Sequence, residues 1–538
     1  MRIDTSREND VIEKGKDYTI FENEDGSRTM DMYTENVREK DENGEYVDYD
    51  SSLKVIPQTR SRSASNYKYK NINGVTDVKL PSDLADNKSI SISKDGKDEV
   101  IFSPIFKNKV GTEETKGELK KENVSDVYDA NEEKNTKIIY GTDDKDIKLE
   151  YIPLDNGIKE NIILNKKTST NKFSYELICS GMVPSIPEVG GVLFNDKETG
   201  KEKGAILVPY MTDSSENGAY SEDLHYSLEE IDKNKDKYKL TLTVSKEYLN
   251  DENRKYPVII DPTYTAKSTD GVKDVYIESG YPTSNFYVST IRKMPIGYGS
   301  TDKVCRTLMK FPELSAKIKT NYVTSAALKL YELSNGSPFS TVEVHKNASS
   351  WALGEVTWNK RPQWTSTVYA SKKLSNTTAV HSLNITKLVQ EWAKGTQANY
   401  GILLKASVES SGTKNYNSFH GTRSSTAAKR PTLTVNYTVP SPKPPGKAEV
   451  TVNGAKTVYV NNKSGDKALA IKWTGITSNC LEAVQARHIR YKADNVFDNA
   501  TETMAYKNTG TVAASGTYNT KAALSSGWTE DVYKRQII

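Results

Sequence analysis

Between residues 18 and 164 the chain alternates short apolar–polar runs with Asp-Gly or Asn-Gly pairs, a pattern that favours antiparallel hairpins. Asp25-Gly26 separates Tyr18–Phe21 from Thr29–Tyr33, and Asn43-Gly44 separates Tyr33–Val37 from Tyr46–Tyr49. Asp95-Gly96 divides Ser89–Ser93 from Glu99–Phe102, and Asn156-Gly157 divides Ile147–Ile152 from Asn161–Leu164. Such dipeptides supply the positive φ that a two-residue hairpin turn needs, and period-two runs put one face of each strand inward.

Farther along, Thr324–Tyr331 sends Ala326, Leu328 and Leu330 to one face, and Pro431–Thr438 does the same with Leu433, Val435 and Tyr437. Val342–Val344 and Gly401–Ala406 alternate similarly. One stretch breaks the period. In Asn384–Gly395, Ile385, Leu388, Val389 and Trp392 recur on one helical face, and Gly395 can terminate the helix. Many short strands and one short helix predict an all-β fold: a string of β-sandwich modules, the central one jelly-roll-like.

Charge divides the chain. Residues 1–264 carry 39 Lys and Arg against 53 Asp and Glu, a net of −14. Residues 265–440 carry 22 against 10, a net of +12, and residues 441–538 carry 13 against 8, a net of +5. No tryptophan precedes Trp351. Together with the Pro-rich run Pro440–Gly446, these breaks predict a disordered 1–14, a β-unit at 15–106 and a charged linker at 107–136. A second β-unit at 137–264, a sandwich at 265–439, a linker at 440–446 and a further sandwich at 447–530 follow. Asp531–Gln536 back-translates as GAT GTG TAT AAG AGA CAG, a transposase adapter sequence of sequencing libraries, so 531–538 is expected to be non-native and the protein to continue.

Several function classes lack support. No apolar run approaches the ~20 residues that cross a bilayer, so membrane insertion is not expected. The first residues lack the apolar core of a signal peptide. No CxxC, HExxH, GxxxxGK[ST] or GxGxxG is present. Cys179, Cys305 and Cys480 fall one per predicted domain and are expected as buried thiols. Of the five histidines, none pairs at catalytic spacing with Ser and Asp, and His345 is expected to alternate outward.

The middle block resembles the DNRLRE family, also described as carbohydrate-binding module family 96. The likeness runs in order through Asp274–Ser279, Tyr281–Tyr287, Arg306–Phe311, Val323–Tyr331, Ser350-Trp351 and Val356–Pro362. It ends with the 385–395 helix, Asn399–Ala406 and Arg430–Tyr437. The hexapeptide that names the family is absent, with Asp302–Arg306 in its place. Upstream, Tyr33–Gly44, Lys159–Leu164, Val208–Asp213 and Tyr248–Pro262 look like the N-terminal region of large bacterial wall-associated proteins of the Rhs/YD-repeat type. Ala448–Val452, Ala468–Trp473 and His488–Tyr491 suit the early strands of a fibronectin type III-like domain. These resemblances imply a secreted or cell-wall-associated location and no catalytic residues.

Within the basic block, Arg292, Lys293, Lys303, Arg306 and Lys310 are the candidate carbohydrate-binding residues, since arginine pairs carboxylates bidentately and lysine acts as a point charge. Trp364 is the candidate exposed stacking platform, whereas Trp351, Trp358 and Trp392 are expected in the core. Asp274 and Asn285 are candidate oxygen ligands for a structural calcium, the one cofactor considered. The expected function is non-catalytic binding of a surface polysaccharide, acidic by charge matching, with no nucleic-acid partner because no recognition helix accompanies the charge. The competing readings are a structural stalk carrying a repeat or toxin region and an accessory part of a polysaccharide-degrading enzyme.

Overall fold

The computed structural model describes residues 10–57, 66–123 and 133–439, apart from short interruptions at 95, 97, 216–217, 267–270, 288–289, 300–302, 319–321, 335–339, 375–378 and 411–414, together with six strands beyond 448. It is all-β, built from antiparallel sheets with three short α-helices among the described residues. The chain separates into two compact units, 1–438 and 439–538.

The hairpins form where the turn pairs stand. Tyr18–Glu22 pairs with Arg28–Met32 around Gly26 (φ 75°), and Arg38–Lys40 pairs with Tyr46–Asp48 around Gly44 (φ 84°). The fourth hairpin is built differently. Its two-residue turn is Asp155–Asn156, and Gly157 is already in strand opposite Leu154. A Cβ on Gly157 would sit 2.1 Å from the Tyr264 carbonyl oxygen, so glycine is required there by a neighbouring strand rather than by the turn.

The sheets cross the boundaries expected from composition. One eight-stranded sheet runs Leu224–Asp232, Lys237–Val244, Lys172–Ser180, Asp98–Ile105, Ile90–Lys94, Asp77–Leu80, Tyr69–Asn71, Leu53–Val55, mixing the 15–106 and 137–264 segments. A ten-stranded sheet holds strands from Gly117–Asn123 to Thr263–Ala266. Both close on one core that includes Val78, Ile90, Ile138, Tyr151, Leu242 and Ile260. The expected 107–136 linker contains the strand Gly117–Asn123, paired with Glu133–Gly141, because Leu119 packs against that core while its charged neighbours face out; residues 124–132 lie outside the described residues.

The N-terminal hairpin does not join that core. Arg28–Met32 pairs with Thr432–Thr438, Met30 opposite Val435 and Met32 opposite Leu433. Val11–Lys14, expected as part of a disordered terminus, is a strand on the outer edge of the same sheet. Residues 53–266 are therefore inserted between the first hairpin and the rest of the basic sandwich. The cause is apolar: Tyr18, Ile20, Met30 and Met32 need a partner face, and Leu433 and Val435 provide it.

In that sandwich Leu328, Leu330, Leu388, Trp392, Leu433 and Val435 are all buried in one cluster, as the alternation predicts. The helix is Thr386–Ala393, and Gly395 (φ 67°) follows its end. Cys179 and Cys305 are buried free thiols, and burial pushes Cys179 up to about 12. Cys480 lies outside the described residues. Beyond residue 448, two three-stranded sheets form, one from Glu449–Val452, Ala470–Thr474 and Gly516–Asn519. In the other, Lys534–Ile537 pairs with Ala483–Tyr491, which also pairs with Phe497–Asn508. The 440–446 linker lies outside the described residues.

Candidate carbohydrate-binding surface

The strand Val304–Lys310 positions the first part of the site. Alternation turns Cys305 and Met309 to one side and Arg306, Leu308 and Lys310 to the other, where Leu308 joins a small core with Val275, Ile277, Trp351 and Val356. Arg306 lies at the border of that core, between two half-buried indoles. Its guanidinium carbon is 4.7 Å from the Trp358 ring centroid and 4.8 Å from that of Trp364. Glu409 takes it bidentately, Nε to Oε1 at 3.0 Å and Nη2 to Oε2 at 2.7 Å. Nη1 is buried without a hydrogen-bond partner among the described residues.

Arg361 completes a shelf over the same rings, 4.8 Å from the Trp358 centroid and 5.8 Å from that of Trp364, and donates through Nη1 to the Trp358 carbonyl. Burial, and then the like charge of Arg306, lower its pKa. Lys310 donates to the Trp351 carbonyl and lies 4.5 Å over its ring, with burial lowering its pKa. Among the described residues neither Arg361 nor Lys310 has a carboxylate within ion-pairing distance. Two indoles and the Arg361 cation, which lacks a carboxylate partner, can take a ring-shaped anion by stacking and charge together, with Lys310 a further such cation over Trp351 of the same small core.

The remaining basic candidates lie elsewhere. Arg292, expected on the surface, is 3% exposed. Its Nε donates to the Val208 carbonyl at 2.8 Å, Nη2 to the Tyr220 hydroxyl at 2.8 Å, and its guanidinium packs 3.9 Å over Tyr210. It is a strut holding the inserted sandwich to the basic one. Lys293 is paired with Glu222 at 2.5 Å, and Lys303 sits 3.6 Å over the Tyr281 ring. Burial would raise the pKa of Glu222, but Lys293 and Arg292 hold it low. Arg292, Lys293 and Glu222 line a cleft of about 490 Å³.

Asp274 and Asn285 are occupied by protein rather than arranged for calcium. Asp274 Oδ1 accepts from the Thr422 amide at 2.7 Å, and Asn285 donates to the carbonyls of Leu353 and Val356. Among the described residues no group of three or more His, Cys, Asp and Glu gathers as a metal site. Trp351 and Trp392 are buried as expected, whereas Trp358 is half-buried and shares the shelf with Trp364. His345 is buried rather than outward, bonded through Nδ1 to the Thr365 carbonyl at 3.0 Å. Sequence reasoning missed Arg361 and Glu409. Arg361 was signalled by standing between Trp358 and Trp364; Glu409 had no local signal.

Residues 265–437 match the family model of carbohydrate-binding module family 96. The chain is also 29% identical over 346 residues, 60% of its length, to the tRNA3(Ser)-specific nuclease WapA of Bacillus spizizenii. It is 29% identical over 327 residues, 57% of its length, to the tRNA nuclease WapA of Bacillus subtilis. These matches cover 14% and 13% of the two relatives. Their names overturn two expectations drawn from composition and motifs: that the protein is not an enzyme, and that nucleic acid is not among its partners. Neither could be judged from motifs in a stretch corresponding to so small a share of the relatives.

Proposed function

We propose that residues 265–437 hold an acidic polysaccharide at the Trp358–Trp364 shelf of a secreted, wall-associated protein. The observation that carries this is the stack itself: Arg306 is fixed between two indoles by Glu409, while Arg361 and Lys310 remain without carboxylate partners. A uronate ring, or a polymer of teichoic acid type, offers the complementary anion. Binding of the full chain to polygalacturonate, measured by calorimetry at low salt, tests it. Saturable binding that fades as salt rises supports the shelf; binding unaffected by salt counts against it, because exposed charges are screened within about 10 Å at 0.1 M.

The family match and the relatives' names support one further part of this reading. The protein is proposed to act on tRNA, as the relatives are named for doing, with the glycan module serving adhesion. Incubating the full-length protein with purified tRNA and following cleavage on a gel tests that part separately from glycan binding.

A further inference from the structure

The cleft of about 490 Å³ is a seam. Pro187, Val189, Val208 and Glu222 come from the inserted sandwich, while Tyr276, Glu278 and Tyr281 come from the basic one. Its walls are set by packing: Tyr276 and Phe286 stack at 4.3 Å and 17°, with Ile291 and Val189 against them. Its volume is in the range of small-ligand pockets, about 300–1,000 Å³.

Two groups lining the cleft have capacity left for a ligand. Glu278 is half-buried, and its carboxylate has no hydrogen-bond or ion-pair partner among the described residues. An ionised carboxylate only accepts, and leaving it partly buried and unpaired is costly. Tyr281 is 44% exposed, with Lys303 covering one face at 3.6 Å and the edge of Phe286 at 6.2 Å. Charge then decides the ligand class. Arg292 and Lys293 share Glu222 on one wall, Glu188 and Glu278 add two negative charges, and Lys303 over Tyr281 adds a positive one, so the six charges of the cleft and its rim cancel. The shelf around Trp364, by contrast, carries uncompensated positive charge.

We propose that the seam is a second glycan site, distinct from the shelf, that takes a neutral saccharide, with ring hydroxyls donating to Glu278 and an apolar sugar face against Tyr281. Because five of its fourteen lining residues lie outside residues 265–437, the site requires the inserted sandwich. Calorimetry of the full chain with neutral trisaccharides of glucose, mannose and N-acetylglucosamine tests it. At least one is expected to bind with an affinity insensitive to salt. Glu278→Gln is expected to weaken it about tenfold, the effect of one hydrogen bond to a charged group. Tyr281→Ala, which removes a ring that is 44% exposed, is expected to weaken it similarly with the protein's melting transition retained, and Trp364→Ala to leave it unchanged. Absence of binding by all three sugars at millimolar concentration overturns the proposal. So does binding that falls with Trp364→Ala but not with Tyr281→Ala, which would assign the sugar to the shelf.

Discussion

Arg430 and Glu35 form a buried ion pair across 395 residues of sequence, and the arginine is 1% exposed. Arg430 Nε also donates to the Ser424 carbonyl at 2.7 Å, so the pair pins the segment after the first hairpin beside the start of the last strand of the basic sandwich. The sandwich is thus closed by residues that precede the inserted one.

Residues 265–440 expressed alone are therefore expected to lack a cooperative melt, because Tyr18, Ile20, Met30 and Met32 leave the core and Thr432–Thr438 loses its partner Arg28–Met32. Joining residues 10–50 to 265–440 through a flexible linker should restore the transition. Glu35→Ala in the full chain should cost roughly 3–5 kcal/mol, since it leaves a buried guanidinium unpaired. A cooperative melt of 265–440 alone would show that the hairpin is an accessory.

Trp392 tests the same core from the helix side. It is 2% exposed, packs 6.1 Å from Phe311, and its Nε1 has no hydrogen-bond partner among the described residues. Trp392→Ala should cost about 3–5 kcal/mol. Trp392→Phe should cost much less, because it removes a buried unpaired N–H while keeping a ring. Denaturant unfolding of both variants checks the ordering.

Glu160 sets a pH dependence in the inserted sandwich. It is 5% exposed, and burial pushes its pKa up to about 7 despite hydrogen bonds from Tyr151 at 2.7 Å and Tyr175 at 3.0 Å. A carboxyl raised on folding contributes stability below its unfolded value near 4.5, and that contribution is lost as pH rises through 7. The loss amounts to roughly 3 kcal/mol. Glu160→Gln should therefore gain melting temperature over the parent at pH 8 and little at pH 4. An equal gain at both would mean that the carboxyl does not titrate in this window.

The strands and the helix were legible because alternation and helical spacing are local: Leu328, Leu433 and Trp392 each declare a face within eight residues. The insertion was not, because Met30 opposite Val435 is a pairing between distant segments, and an alternating strand names its inner face but not its neighbour. Counting charge had a similar limit. Arg292 and Arg361 contribute equally to the +12 of residues 265–440, yet one is a strut bonded to Val208 and Tyr220 and the other covers an indole shelf. Only burial separates them.

That difference gives the sharpest test of the shelf. Arg361→Glu places a negative charge over Trp358 and Trp364 at a half-buried position without an ion-pair partner, so the fold should survive while polygalacturonate binding is lost. Arg292→Glu instead puts a carboxylate beside Glu222 and against the Val208 carbonyl, and should unfold the seam before any ligand is added. Trp364→Ala should weaken binding through lost stacking, by about 0.5–2 kcal/mol if the ring acts as an aromatic platform, while the slope of affinity against salt stays nearly constant. Circular dichroism melts separate the folding effect from the binding effect in each variant. Polygalacturonate binding retained by a folded Arg361→Glu protein would remove the shelf from consideration.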